Sequence, residues 1–216
     1  MDVRLKHPGT YIISGSSGTG KTQWTKKFME NWSQVVNTQF PDRIVWFYSE
    51  YQPAYSELST LFPQIEFIQG IPENVCEMFN ERTTNLCIID DLLQECSGNK
   101  NVANLFTKTS HHRNLSVLFI TQNLFFQGKE SRTISLNTNY ITIFSNPRDK
   151  TQILNLSKQM YPGRSKFMRE ATRVCKLPAV PSGAVLTEAS LHSDDRMYSV
   201  FWNANHTVCY DAIIFC

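Results

Sequence analysis

Gly15-Ser16-Ser17-Gly18-Thr19-Gly20-Lys21-Thr22 is the stretch on which the reading of this chain turns. It fits G-x-x-x-x-G-K-[ST], the pattern of a phosphate-binding loop. Tyr11-Ile12-Ile13 runs straight into it as a short apolar strand. From Lys21 the spacing predicts a helix, with Trp24, Phe28, Trp32 and Val36 on one face. Strand, glycine loop and helix in that order are the context the motif requires. The glycines let successive backbone N–H groups turn inward toward phosphate oxygens. The helix start adds unpaired N–H groups and the positive end of its dipole. Lys21 supplies a mobile point charge for the β- and γ-phosphates, and Thr22 a hydroxyl ligand for Mg²⁺. Gly15 through Thr22 are therefore the candidate nucleotide-binding residues, with ATP and Mg²⁺ as the expected cofactors.

Working outward, apolar runs alternate with helical patterns. Arg43 to Tyr48 is an aromatic and β-branched strand candidate ending in Ser49-Glu50-Tyr51-Gln52-Pro53. Residues 54–62 suit a short helix, and Ile65 to Ile68 a brief strand. Pro72 to Arg82 reads as a helix with Val75, Met78 and Phe79 inward. Leu86 to Ile89 is a strand closed by Asp90-Asp91. Asn99 to Arg113 reads as a helix with Val102, Leu105, Phe106 and Thr109 as its inner stripe. Leu115 to Ile120 is a strand ending in Thr121-Gln122-Asn123, and residues 124–137 read as loop. Tyr140 to Phe144 is a strand, followed by helices over Asp149 to Met160 and Arg164 to Cys175. The alternation predicts an α/β fold: a mostly parallel central sheet between two layers of helices. Ligands of such sheets bind beyond the carboxyl ends of the strands, where the polar residues here collect. Residues 1–172 read as one nucleotide-binding domain. Residues 173–216 read as an irregular segment without assigned chemistry, with short strands possible only at Met197 to Phe201 and Ala212 to Phe215.

Composition narrows the class. The 216 residues are 41% hydrophobic and 19% charged, which suits one domain with a full core. A net charge of +2 confines any nucleic-acid surface to a local patch. The six cysteines show no C-x-x-C spacing, so neither a zinc site nor a redox motif is indicated. There is no apolar signal region and no apolar run near the ~20 residues that span a bilayer. The expectation is a soluble intracellular protein with reduced thiols and no membrane partner.

The carboxylates turn binding toward hydrolysis. Asp90, at the end of its strand, suits the Mg²⁺ shell, and Asp91 suits a general base for the attacking water. Aspartate is shorter than the glutamate common at that second position, so Glu50 is the reserve base. Gln122 closes the next strand, where an amide can orient water or sense the γ-phosphate. A cation over the γ-phosphate completes such a site; Arg132 and Arg148 are the candidates, with Arg113 weaker. Each arginine taken singly also reads as a solvated surface residue. His111 and His112 have no carboxylate or cysteine at ligand spacing. Two basic stretches carrying aromatics, Phe125 to Arg132 and Gly163 to Arg169, could meet nucleic acid, or be ordinary surface.

Several later segments carry a resemblance. They are Ser49-Glu50-Tyr51-Gln52-Pro53, His111 to Leu115, Thr121 to Leu124, Arg132 to Asn137, and Asn146-Pro147-Arg148-Asp149-Lys150. Together with the P-loop they resemble the genome-packaging ATPases of Polinton/Maverick elements and adintoviruses. These are relatives of the poxvirus packaging ATPase in the FtsK–HerA superfamily. The resemblance covers residues 8–172. It implies the additional-strand, RecA-like class of three-layer P-loop NTPase. It implies a homo-oligomeric ring that drives double-stranded DNA into a capsid, with capsid protein as a further partner. Matched to the family's motifs, Gly15 to Thr22 bind nucleotide and Mg²⁺, Asp90 and Asp91 form Walker B, Gln122 is the sensor, and Arg132 or Arg148 is the arginine finger. The family continues with another short strand, which is not legible in residues 173–216.

Two other functions fit the P-loop. A small-molecule kinase would need an arginine-bearing lid, and the glutamine after Walker B argues for the motor instead. A nucleotide-binding remnant without turnover would be marked by Lys21→Ala and Asp91→Ala leaving turnover unchanged.

Overall fold

Six of the apolar runs become strands, five of them largely buried on both faces and the sixth, Ile65–Gln69, half-exposed at the sheet edge. They are β1 (Thr10–Ser14), β2 (Arg43–Tyr48), β3 (Ile65–Gln69), β4 (Asn85–Asp90), β5 (Leu115–Thr121) and β6 (Tyr140–Phe144). Every residue of β1, β4, β5 and β6 is buried, which is why these strands lack a polar alternation. The computed structural model describes residues 4–96, 98–125, 127–144 and 151–160, together with the backbone of strands at 183–192, 195–203 and 212–215. The first six strands pair in parallel in the order β3-β2-β4-β5-β1-β6. Ile12 lies opposite Phe119, and Asp90 opposite both Tyr48 and Ile120.

Successive strand residues point to opposite faces, and the two cores divide accordingly. One face buries Ile44, Trp46, Leu86, Ile88, Leu118 and Ile120 against Trp24, Phe28, Trp32 and Tyr55. The other buries Val45, Phe47, Cys87, Ile89, Val117 and Phe119 against Val75, Phe79, Phe106 and Ile134. Helix α1 (Lys21–Glu30) packs on the first face, with Trp24 stacked on Phe28 at 5.2 Å. The α/β fold, a mostly parallel sheet flanked by helices, is thus the one expected.

Several elements differ from expectation. The helix from Lys21 pauses at Asn31, whose backbone N–H and side-chain amide both donate to the Lys27 carbonyl. A separate short helix, Trp32–Val35, follows, and Val36 is extended at its end, although it stays buried with Trp32. Pro72 to Arg82 holds only one 3-10 turn, Val75–Glu77. Polar residues compete for the backbone there. The Asn80 side chain accepts from the Arg82 N–H, and the Asn80 carbonyl accepts from Thr83 and Asn85 side chains. Val75 and Phe79 are buried all the same. Helical structure over 100–112 includes a π turn at Leu105–Thr109, with Val102, Leu105, Phe106 and Thr109 inward as read. Residues 131–136 of the expected loop form a helix, Ser131–Leu136, anchored by buried Ile134. The helix over Thr151–Met160 is present, whereas Arg164 to Cys175 lies outside the described residues.

The sheet continues through β7 (Gly183–His192), where irregular chain was expected, and through β8 (Asp195–Asn203) and β9 (Ala212–Phe215), which contain the short strands read at Met197 to Phe201 and Ala212 to Phe215. β9 pairs antiparallel with β6, and β8 pairs with both β9 and β7. The polar residues scattered through 183–203 hide β7 and the full length of β8 from a hydrophobic count, because β-rich antiparallel strands need not be apolar throughout. Among the described residues no helix is long and apolar enough to cross a membrane.

Candidate functional site

The P-loop leaves β1 at the middle of the sheet, between β5 and β6. The Gly15 N–H donates to the Thr121 carbonyl of β5 at 3.2 Å, which continues the ladder into the loop. A Cβ at Gly15 would lie 2.7 Å from Phe144 Cβ and 2.8 Å from Thr19 Oγ1, so only glycine fits. Gly18 and Gly20 turn the chain at φ 76° and 91°, a region glycine adopts freely. Thr19 Oγ1 donates to the Ser16 carbonyl at 2.8 Å, bracing the turn. Helix α1 then begins at Lys21, its first bond running from the Trp24 N–H to the Gly20 carbonyl.

The Lys21 ammonium folds back over the loop, donating to the carbonyls of Gly15 at 2.7 Å and Ser16 at 3.0 Å. Burial holds its pKa below the ordinary lysine value, while the charges of Asp90 and Asp91 pull it back up. The lysine is thus within electrostatic reach of both aspartates, as an acidic–basic phosphate site needs.

Asp90 is 4% exposed. Burial pushes its pKa up to about 6; Tyr55, Lys21 and Trp46 oppose that rise, while Asp91 adds to it. The Tyr55 O–H donates to Asp90 Oδ2 at 2.9 Å. The Trp46 indole N–H is buried without a well-formed hydrogen bond and favours the charged carboxylate electrostatically. Burial and the Asp90 charge together raise the Tyr55 pKa. Replacing Asp90 by asparagine is expected to stabilise the metal-free protein at neutral pH by about 1–3 kcal/mol, read by denaturant melts. The sign follows from linkage. The carboxyl holds its proton more tightly folded than unfolded, so its ionisation weakens the fold as pH rises from about 4 through 6. The advantage of Asp90→Asn should therefore vanish near pH 4.

Asp91 turns out of β4 at φ 54°, an uncommon conformation for a non-glycine residue. Its N–H still donates to the Ile120 carbonyl at 3.1 Å. The Gln122 side-chain amide donates to Asp91 Oδ2 at 2.9 Å, joining the ends of β4 and β5. Gln152 fastens the next loop: its Oε1 accepts from the Leu124 N–H at 3.0 Å and, at the limit of range, from Ser14 Oγ at 3.5 Å.

Gly15 to Thr22, Asp90, Asp91 and Gln122 therefore meet at the carboxyl ends of β1, β4 and β5. Glu50 is exposed, two residues beyond Tyr48, which itself lies beside Asp90. Arg132 is exposed on the helix Ser131–Leu136. Arg148 and the basic stretch Gly163 to Arg169 lie outside the described residues. Lys129 is exposed and Phe125 half-buried in the other basic stretch. His111 and His112 are exposed, and among the described residues no three His, Cys, Asp or Glu groups cluster to hold a metal. A buried carboxylate short of positive charge, next to a glycine cradle and a lysine, is a donor set suited to magnesium–nucleotide.

Tyr55, Trp46 and Gln152 were not singled out in the sequence. Tyr55 bonds a carboxylate 35 positions away, and no local motif encodes that pairing.

A parallel sheet with a P-loop at its centre defines an α/β P-loop NTPase fold of the RecA-like kind. No protein-family model matches the chain, and no curated protein matches it. Solved structures do. The genome-packaging NTPase B204 from Sulfolobus turreted icosahedral virus 2, in complex with ATPγS, is 14% identical with a TM-score of 0.52. That match covers 78% of this chain and 88% of B204. B204 from Sulfolobus turreted icosahedral virus, a DNA-packaging ATPase, is 11% identical with a TM-score of 0.51, covering 77% and 89% of the two chains. At such identities the likeness establishes the fold.

Proposed function

We propose that this chain is an ATP-hydrolysing motor that packages double-stranded DNA into a viral or transposon capsid, working as a homo-oligomeric ring. The observation that carries the proposal is the contact from Gln122 to Asp91, set beside Asp90 and Lys21 at the mouth of the P-loop. A site that only bound nucleotide would need the loop and the lysine alone. A carboxylate beside an amide at the end of the next strand places a candidate base and a candidate water-orienting group together. The likeness to B204, solved with ATPγS from one virus and described as a DNA-packaging ATPase in the other, supports ATP as the nucleotide and DNA as the cargo. The sequence resemblance supports placing the chain with the Polinton and adintovirus enzymes of the FtsK–HerA superfamily. In this proposal residues 1–172 form the NTPase domain, and residues 173–216 have no assigned role.

In this reading the P-loop N–H groups and Lys21 bind the phosphates. Thr22 and Asp90 hold Mg²⁺, which when bound offsets the charge of the phosphate oxygens. Asp91 takes the proton of the attacking water, Gln122 orients that water, and Glu50 is the reserve base. Arg132, exposed on its helix, is available to a neighbouring subunit's nucleotide, and Arg148 is the other candidate finger.

The test is ATP turnover with and without double-stranded DNA, together with the mass of the assembly. DNA-stimulated turnover by a ring supports the proposal; a monomer with DNA-independent turnover overturns the motor. Gln122→Ala should lower kcat roughly tenfold while the ATP affinity stays within about twofold, measured by steady-state kinetics and nucleotide titration.

A further inference from the structure

We infer that Tyr55 is a positioning residue for the metal: its phenol O–H, donated to Asp90 Oδ2, holds the carboxylate in the orientation that binds the nucleotide's divalent cation. The inference rests on the hydrolase reading above.

Tyr55 lies on none of the elements that usually build a phosphate site. It comes from the helix Ala54–Leu61, between β2 and β3, and is completely buried. Its ring is enclosed by Trp46 at 5.5 Å, Tyr48 at 5.4 Å, Tyr51 at 5.4 Å and Phe67 at 5.1 Å. Those contacts account for an aromatic ring at this position but not for a hydroxyl, since phenylalanine would pack equally well. A buried hydroxyl is costly unless bonded. Here its partner is the carboxylate at the end of β4, at 2.9 Å.

The consequence for Asp90 is geometric. An unrestrained aspartate can swing about its side-chain bonds, and it must be fixed before a cation or its water shell can bind with full strength. One carboxylate oxygen is taken by the phenol, and the other stays an acceptor. The aromatic ring is immobile between its neighbours, so the hydroxyl is a fixed donor and not a mobile one. The buried Trp46 N–H also favours the charged form of Asp90. Removing such an outer partner of a metal ligand typically costs about 10–100-fold in metal affinity.

The test uses the full-length protein with ATPγS and Mn²⁺ as the spectroscopic substitute for Mg²⁺, titrated by electron paramagnetic resonance. Tyr55→Phe removes only the hydroxyl. Phe67→Leu loosens the ring's packing and leaves the hydroxyl in place. Thermal melts and metal-free ATPγS binding accompany both variants. The expected result is that Tyr55→Phe binds ATPγS normally without metal, yet binds Mn²⁺ in the complex at least about tenfold more weakly than wild type. Phe67→Leu should shift the melt more than the metal affinity. Unchanged Mn²⁺ affinity in Tyr55→Phe overturns the inference, and so does an equal loss in Phe67→Leu, which would make packing the cause. If wild-type protein binds neither ATPγS nor Mn²⁺ with it, the hydrolase reading fails and this inference fails with it. Wild-type binding with an unaffected Tyr55→Phe defeats the inference alone.

Discussion

Lys21→Ala is expected to weaken ATP binding by at least about 100-fold and to abolish turnover, with the fold intact. In the nucleotide-free protein the ammonium is held by the Gly15 and Ser16 carbonyls and feels the charges of Asp90 and Asp91. Phosphate oxygens are stronger acceptors than those carbonyls, so the ammonium should transfer to them. Losing a charge-assisted contact in a partly desolvated site costs about 2–5 kcal/mol, and 100-fold, about 2.7 kcal/mol, lies toward the lower end of that range. Ser16 and Lys21 are only half-buried, so water can enter the space the lysine leaves and meet the Ser16 carbonyl. Alanine also suits the first turn of α1. The melting temperature should therefore move by no more than a few degrees. Fluorescent-nucleotide titration and a thermal melt on the same sample separate the two effects. ATP affinity within threefold of wild type would remove Lys21 from the site.

The second large effect distinguishes the two candidate bases. Asp91→Asn should lower kcat by about 100-fold or more while leaving nucleotide affinity nearly unchanged, since general-base catalysis typically contributes 10²–10⁴-fold. Glu50→Gln should change kcat by less than about threefold. The structure favours this order. Asp91 is gripped by Gln122 and shares the field of Lys21. Glu50 is exposed on the loop after β2. Asparagine can keep the Gln122 contact through its own carbonyl oxygen, so a loss in Asp91→Asn reports the proton acceptor and not the geometry. Single-turnover measurements remove any contribution from product release. The opposite ranking would make Glu50 the base.

The candidate site was legible to different depths. The P-loop could be read whole because its chemistry is local: strand, loop and helix start are consecutive, and glycine is needed where φ is positive or no Cβ fits. Asp90, Asp91 and Gln122 could be nominated from their place at strand ends. That they face one another required the strand order, which puts β4 beside β5 and β5 beside β1. Arg132 was nominated by the same logic but sits exposed on a helix that the sequence read as loop, since six residues with one buried isoleucine give no periodic signal.

The inner strands β1, β4, β5 and β6 were legible from composition alone. Strands buried on both faces must be apolar throughout, and such runs stand out in any chain. The same local physics made the phosphate loop certain as a turn before a helix. Only the tertiary structure decided which residues surround Asp90. Tyr55 reaches it across 35 positions and Gln122 reaches Asp91 across 31. It also decided that Pro72 to Arg82 is not a helix, because side chains there bond the backbone first. Contacts at that separation depend on how the strands are ordered in space, and the order is set by which buried faces pack best, a property of the whole chain and not of any window within it.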